Sequence, residues 1–312
     1  VLSDGKILSN VIASQTVHEQ FGGVVPELAS RAHNKTIWAT VDQALETSGL
    51  EMPDIDAIAV AKGPGLMGSL LVGLGFAKGL SLSWDKPLIG INHIDAHMYA
   101  NFIEHEEVFP FVALIVSGGH TRLVHVTEPF EHTVLGKTRD DAAGEAFDKI
   151  GKMLNLPYPG GPFVDKYAKS GNPEFVDFPR AMIKSGLDFS FSGLKTSVLY
   201  HLQEQEDGYA EEHLADLCAS VSAAITDVLT IKLRRAIRKT GVNHVMVAGG
   251  VSANSMLREK VQGMTKKESV NLMIPAMEYC TDNAAMIAKA GEMKARLGQF
   301  DNLELKPFAS LK

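Results

Sequence analysis

The sequence has few cysteines and no long apolar runs. Its two cysteines, Cys218 and Cys280, stand far apart in 312 residues, so they give no disulfide framework and fit a reducing compartment. No stretch approaches the roughly 20 apolar residues of a membrane span, and residues 1–6 have no signal-peptide character. We therefore expect a cytoplasmic protein rather than a disulfide scaffold or a membrane protein.

Positive charge is also in short supply. The chain has 30 Lys and Arg against 37 Asp and Glu, a net charge of −7, whereas a protein that binds nucleic acid tightly on its own is usually basic. One local run, residues 232–239, holds five cations. Because its apolar members follow helical spacing, we interpret it as the solvated face of a helix. Any nucleic-acid contact is expected to be local or shared with another subunit.

The composition is otherwise that of a globular α/β protein with room for two lobes. Hydrophobic residues make up 45% and charged residues 21%, while 28 glycines exceed the average share of about 7%. The apolar pattern alternates between strands and helices. It predicts strands at 55–61, 88–91, 111–116, 121–126, 245–248 and 271–274, and helices at 69–83, from 93, at 255–264 and from about 281. A charged break at 104–107 predicts two domains, 1–108 and 109–312.

Two histidines four residues apart, His93 and His97, follow one of these strands. On a helix this spacing puts both rings on one face, where they can hold one metal ion. Asp282, in a predicted strand-to-helix loop, is a candidate third ligand, and a helix N-cap is an equally good local reading of it. The residue after His93 is Ile94 rather than the Glu of a helical zinc protease. Two histidines and one carboxylate suit iron as readily as zinc.

Two glycine turns, Gly118-Gly119 and Gly249-Gly250, follow predicted strands. Without side chains the backbone can approach an anion closely, and the helix expected after Asn254 adds a favourable dipole. Each turn alone is typical of a simple tight turn. Together they predict the walls of a nucleotide cleft.

Longer motifs occur in a fixed order along almost the whole chain. They are FGGVVPELASRAH at 21–33, GPG at 63–65, H-x3-H at 93–97, SGGHT at 117–121, DDAAGEAFDK at 140–149, YPGGP at 158–162, DFSFSGLKT at 188–196, GGVSAN at 249–254 and CTDN at 280–283. In these motifs the chain resembles the bacterial TsaD branch of the tRNA N6-adenosine threonylcarbamoyltransferases, the Gcp/Kae family formerly called O-sialoglycoprotein endopeptidases.

The resemblance implies an actin, Hsp70 and sugar-kinase (ASKHA) architecture, with two RNase H-like lobes around a nucleotide cleft and the last helix packing back on the first lobe. It implies transfer of the threonylcarbamoyl group from threonylcarbamoyl-AMP to N6 of adenosine 37 in tRNAs that read codons beginning with A. The implied metal ligands, for Fe2+ first and Zn2+ second, are His93, His97 and Asp282. The implied donor site consists of Ile115, Val116, Ser117, Gly118, Gly119, Asp148, Gly161, Asp165 and Asn254. No general base is assignable.

The resemblance also implies the partner proteins TsaB and TsaE, with a TsaC-type enzyme supplying the donor and a tRNA anticodon loop as acceptor. Family members carry a strand and a short acidic, Ser/Thr-rich loop before the segment that begins here at Val1. We expect either that the sequence is a fragment or, if that element is truly missing, that activity is weak.

Three other functions stay open. A metabolite kinase of the same architecture would use the glycine turns for ATP, but it has no need of the two histidines and Asp282. A metallopeptidase, the older family label, lacks the expected Glu after His93. A non-catalytic scaffold predicts no metal, and the retained ligands speak against it.

Overall fold

The computed structural model describes residues 1–13 and 24–310, and the chain divides into two compact units. Unit 1 comprises Val1–Glu106 and Thr281–Lys312, and unit 2 comprises Glu107–Cys280. The two predicted domains meet at 108/109, close to the end of Glu106, but residues from Thr281 onward belong to the first unit. The first three residues of the motif at 21–33 lie outside the described residues.

The elements follow the expected alternation. The strands are β1 (Leu2–Ser3), β2 (Lys6–Ile7), β3 (Ile58–Gly63), β4 (Leu88–Asn92), β5 (Phe111–Val116), β6 (Thr121–Glu128), β7 (Glu131–Lys137), β8 (His244–Ala248) and β9 (Asn271–Met273). The helices are α1 (Pro26–Ser48), α2 (Met67–Trp84), α3 (His93–Tyr99), α4 (Ala143–Met153), α5 (Gly160–Ala168), α6 (Ser192–Gln203), α7 (Tyr209–Glu212), α8 (Leu214–Thr240), α9 (Ser255–Glu268), α10 (Met277–Cys280) and α11 (Ala284–Arg296).

In unit 1 a parallel pair of strands carries the packing. β3 pairs with β4 in parallel, Ile58 opposite Leu88, and β4 is a continuous buried run, as expected for a strand covered on both faces. α11 lies against both strands and against α3. It comes so close that a Cβ on Gly291 would lie 2.5 Å from the Cβ of Ala59. The last described helix is thereby fixed beside the histidine helix.

Unit 2 is built on a five-stranded sheet in the order β7-β6-β5-β8-β9. β7, β6 and β5 form an antiparallel meander, and β8 and β9 run parallel to β5. The predicted hairpin at 111–126 is thus present, and every residue of β5 is buried. Because β5 and β8 are parallel, the segments that follow Val116 and Ala248 leave the same edge of the sheet.

The central helix of unit 2, α8, corrects two expectations. Among the described residues it alone is long and apolar enough to cross a membrane, but 72% of that stretch is buried in the protein, so it is a core helix. Its basic run is not one solvated face. Lys232 is fully buried, and its ammonium donates to the carbonyl oxygens of Met182, Ser185 and Gly186 at 2.6, 2.5 and 3.1 Å, since a buried cation requires partners.

Candidate active site

His93 and His97 are delivered together by the junction between β4 and α3. The Asn92 side chain accepts from the backbone N–H of Ile94 at 2.9 Å, an N-cap that starts the helix at His93. One turn of helix then puts both rings on one face, with ring centroids 4.7 Å apart. His97 is 2% exposed and His93 22%.

Asp282 meets both histidines. Its Oδ1 lies 3.3 Å from Nε2 of His93 and 3.2 Å from Nε2 of His97. The alternative reading of Asp282 as a helix cap is wrong, because Asn283 caps α11 by accepting from the N–H of Met286 at 2.9 Å. The Asp282 carboxylate is therefore left for the histidines.

The three side chains fit a metal ion. Their ligand atoms all lie within 4.8 Å of one another, and metal–ligand bonds of about 2.1 Å place neighbouring ligands about 3.0–3.4 Å apart. Among the described residues, neither ring nitrogen of His97 has a hydrogen-bond partner, although the ring is buried and its Nε2 is near Asp282. A coordinated cation would satisfy that nitrogen.

The charge of the cluster suits a cation as well. Desolvation raises the pKa of the Asp282 carboxyl, but the hydrogen-bonding histidines lower it by more, so this pKa lies below its ordinary range. The side chain is 78% exposed, so water screens much of this interaction. An ionised carboxylate next to two imidazoles is a donor set that either Fe2+ or Zn2+ accepts.

The predicted donor-site residues of β5 and its hairpin tip differ in what they expose. The side chains of Ile115 and Val116 are fully buried, so only their backbone can face a ligand. Ser117 closes the tip, its N–H donating to the carbonyl of His120 at 2.8 Å. Gly118 and Gly119 are exposed, and a Cβ on either would meet nothing within 4 Å. The tip therefore offers open backbone.

The second glycine turn approaches the same strand end. Gly249 has φ +87°, and a Cβ there would collide with the carbonyl oxygen of Val116, so only glycine allows this approach. Asn254 then caps α9 by accepting from the N–H of Leu257 at 2.9 Å. Asp165 accepts from the N–H and the hydroxyl of Ser255, both at 2.8 Å. Two of the first N–H groups of α9 are thus already paired, which weakens the expected role of this helix end as an anion site.

Asp148 and Gly161 meet at the start of α5. Oδ1 of Asp148 accepts from the N–H of Gly161 at 3.1 Å. Burial raises the pKa of the Asp148 carboxyl, in spite of the N–H groups of Gly160 and Gly161 that stabilise its ionised form. The structure thus joins the predicted donor residues in three local groups within unit 2: the hairpin tip, the Asp148–Gly161 pair and the Asp165–Asn254 end of α9.

Two side chains in these surroundings escape prediction from sequence. Asp140 accepts from the hydroxyls of Ser190 and Ser192 at 2.5 and 2.9 Å, and from the N–H groups of Phe191 and Ser192. Both ends of this network lie in recognised motifs, but no local pattern pairs them. Arg258 donates to the carbonyl of Ser252 at 2.7 Å, and a single arginine in a helix gives no signal at all.

Comparison with known proteins supplies a family and a fold. The model of the family "TsaD: tRNA N6-adenosine threonylcarbamoyltransferase" matches residues 6–289. A protein of that name from Salinibacter ruber is 54% identical over 304 residues, which cover 96% of this chain and 91% of the relative. Another from Prosthecochloris aestuarii is 47% identical over 328 residues, covering 100% and 95%.

Solved structures agree on the fold. HypF of T. kodakarensis superposes with a TM-score of 0.63 at 14% identity, covering 84% of this chain and 43% of that one. A full-length HypF in its phosphate- and nucleotide-bound form gives 0.60 at 11%, covering 82% and 41%. At such identity the likeness concerns the fold alone, and it confirms the expected ASKHA class. With the family model matched over most of its length and relatives about half identical, the chain belongs to the TsaD family of tRNA N6-adenosine threonylcarbamoyltransferases.

Proposed function

We propose that the threonylcarbamoyl donor is threonylcarbamoyl-AMP and that a divalent metal held by His93, His97 and Asp282 assists the transfer. As a member of its family, the chain is a transferase of t6A37 biosynthesis, acting on N6 of adenosine in tRNA. One observation carries the finer proposal: two helical imidazoles and one carboxylate converge within 4.8 Å.

We propose Fe2+ as the preferred ion and Zn2+ as the alternative. When bound, the ion supplies positive charge for the carboxylate and phosphate oxygens of the donor. The chain's own contribution is orientation: the cap at Asn92 fixes the helix that carries both rings, and burial holds His97 in one place. Such pre-positioning lowers the entropic cost of bringing donor and acceptor together.

For the donor site we propose that the nine residues of unit 2 act mainly through their backbone. The exposed N–H groups of Gly118 and Gly119 suit phosphate oxygens. The half-buried carboxyl of Asp148 suits a hydroxyl donor such as a ribose. Asp165 and Asn254 would shape the site by fixing the start of α9.

The acceptor is tRNA, and we propose that its anticodon loop presents adenosine 37, because an unpaired base can be turned out without melting a duplex. With a net charge of −7, the chain would need help to hold tRNA. We propose TsaB and TsaE as partners, a TsaC-type enzyme as donor supplier, and a cytoplasmic location. Exposed apolar side chains on α1 and α2, Trp38, Leu71 and Leu82, support a protein partner.

The alternatives are not favoured. A metabolite kinase gives no reason for the convergence of His93, His97 and Asp282. A helical zinc peptidase requires a carboxylate after the first histidine, and Ile94 there is buried and apolar. A scaffold protein would have no use for a buried histidine without hydrogen-bond partners.

The test is transfer of labelled threonine into tRNA, with a threonylcarbamoyl-AMP-generating enzyme, TsaB and TsaE supplied. We expect label in tRNA with the unaltered chain and a loss of at least about 100-fold with His93→Ala, in the range seen when electrostatic stabilisation is removed. Label that persists in His93→Ala would refute the metal site while leaving the transferase intact. ADP formed with a small acceptor, and no label, would favour the kinase.

A further inference from the structure

We propose that Arg258 is a positioning residue that fixes the segment delivering Asp282. Arg258 lies on α9, and its guanidinium makes three contacts with two different segments. Nε donates to the carbonyl of Ser252 at 2.7 Å, while Nη2 donates to the carbonyl of Pro275 at 2.8 Å and to Sγ of Cys280 at 3.1 Å. The planar guanidinium thereby ties the turn after β8 to the segment 275–280.

The far end of this clamp is buried. Cys280 is 0% exposed, and its thiol also contacts the carbonyl oxygens of Pro275 and Ala276 at 3.6 and 3.4 Å. The residue therefore has one well-defined position. Asp282 follows only two residues later, so at most about 7 Å of chain separates the two Cα atoms.

Asp282 needs such fixing because its own side chain does not supply it. The carboxylate is 78% exposed, and its printed contacts are the two histidines with which it would share the metal. On the C-terminal side, Asn283 provides an anchor, since it caps α11 and donates to the carbonyl of Thr281 at 2.7 Å. On the N-terminal side, the anchor is Cys280 with Arg258. The carboxylate is suspended between two fixed points.

Lysine would not replace Arg258. Its ammonium is a point charge on a flexible stem, whereas the guanidinium reaches two carbonyls and a thiol from fixed directions. Residues that orient metal ligands from behind typically contribute 10- to 100-fold to metal affinity. The inference rests on the proposed metal site, and it predicts weaker metal binding rather than a lost ligand.

The experiment measures the Zn2+ dissociation constant of the metal-stripped full chain by competition with a chromophoric chelator. We expect Arg258→Lys to raise this constant by about 10- to 100-fold. The matched control is Arg238→Lys, which breaks a two-point contact with Glu268 at 2.9 and 2.6 Å elsewhere in unit 2. The control is expected to change it by less than about twofold, as for most surface changes.

A double-mutant cycle separates positioning from a general loss of stability. In an Asp282→Ala background, Arg258→Lys is expected to have no further effect on Zn2+ binding, because Arg258 acts through Asp282. An equal effect in both backgrounds, or an unchanged constant in the single variant, overturns the inference. If the unaltered chain binds no Zn2+, or Asp282→Ala binds it equally well, the metal site itself fails.

Should Arg258→Lys not fold, Cys280→Ala removes only the thiol end of the clamp. Loss of one hydrogen bond of about 1 kcal/mol corresponds to a rise of about fivefold in the dissociation constant. No rise would overturn the proposal.

Discussion

At the residue scale, single side chains in unit 2 do work that their neighbours in sequence do not reveal. Lys232 belongs to a run of five cations, yet it alone is fully buried, with three carbonyl oxygens around its ammonium. Desolvation lowers the pKa of this lysine. The position therefore serves the fold and not a charged surface.

Replacing this lysine should be costly. We expect Lys232→Met to lower the free energy of unfolding by roughly 3 kcal/mol or more, because three buried carbonyl oxygens lose their partner. Urea denaturation measures it. The control is Lys239→Met at the exposed end of the same helix, expected within about 0.5 kcal/mol of the unaltered chain. Equal losses in the two variants would contradict the role assigned to the buried ammonium.

Asp140 predicts a pH dependence. Partial desolvation raises its pKa, but hydrogen bonds from Ser190, Phe191 and Ser192 lower it by more, so the folded-state pKa is depressed. A depressed carboxyl pKa stabilises the fold above the unfolded value of about 3.9 and loses this contribution as pH falls through the folded value. Asp140→Asn should therefore lower Tm at pH 7 and make a shrinking difference below about pH 4. A Tm difference that stays constant from pH 7 to pH 3 would rule this out.

At the element scale, the packing of α11 on β3 sets the position of the metal ligand at its start. Because a Cβ on Gly291 would lie 2.5 Å from that of Ala59, Gly291→Ala must move the helix or the strand. We expect a loss of about 1–3 kcal/mol, the usual cost of overpacking, together with weaker Zn2+ binding. Thermal unfolding and the chelator competition provide the two readouts.

A second glycine offers the matched control. Gly263 lies in α9, and a Cβ there would meet nothing within 4 Å. Gly263→Ala should therefore stabilise the chain by up to about 1 kcal/mol, since alanine loses less backbone freedom in a helix. Destabilisation by both substitutions alike would show that the close approach to Ala59 is not what matters at Gly291.

The elements also show how far sequence reasoning reaches. The i, i+4 spacing of His93 and His97 and the apolar strand before them predict the helix that the structure contains, because both signals are local. The residue that caps α11 was missed by one position: Asp282 and Asn283 are equally good caps in sequence, and only the three-dimensional position of the histidines separates them. Clamps such as Arg258 to Cys280 depend on distant packing, which local patterns do not encode.

At the scale of the whole molecule, the family and the fold class were predictable because long motifs recur in order along the chain. The affiliation of residues after Thr281 with unit 1 could be anticipated only through the family resemblance. Buried contacts such as that between Gly291 and Ala59 decide it, and these join positions far apart in sequence.

The exposed apolar side chains of α1 and α2 lead to a prediction about assembly. Trp38 is 63% exposed and Leu82 72%, and neither contributes much to the core of unit 1. The double variant Trp38→Ser, Leu82→Ser should fold with a Tm close to that of the unaltered chain, yet form less complex with TsaB on size-exclusion chromatography. Undiminished complex formation would place the partner elsewhere on the protein.

The metal ligands come from two distant parts of the sequence, and this has a consequence for synthesis in the cell. Asp282 leaves the ribosome long after His97, by roughly ten to forty seconds at about 5–20 residues per second. During that interval the nascent chain presents two imidazoles without their carboxylate. Selection of the metal therefore belongs to the finished polypeptide, and a ribosome stalled before codon 282 would release a chain with two histidines and no third ligand.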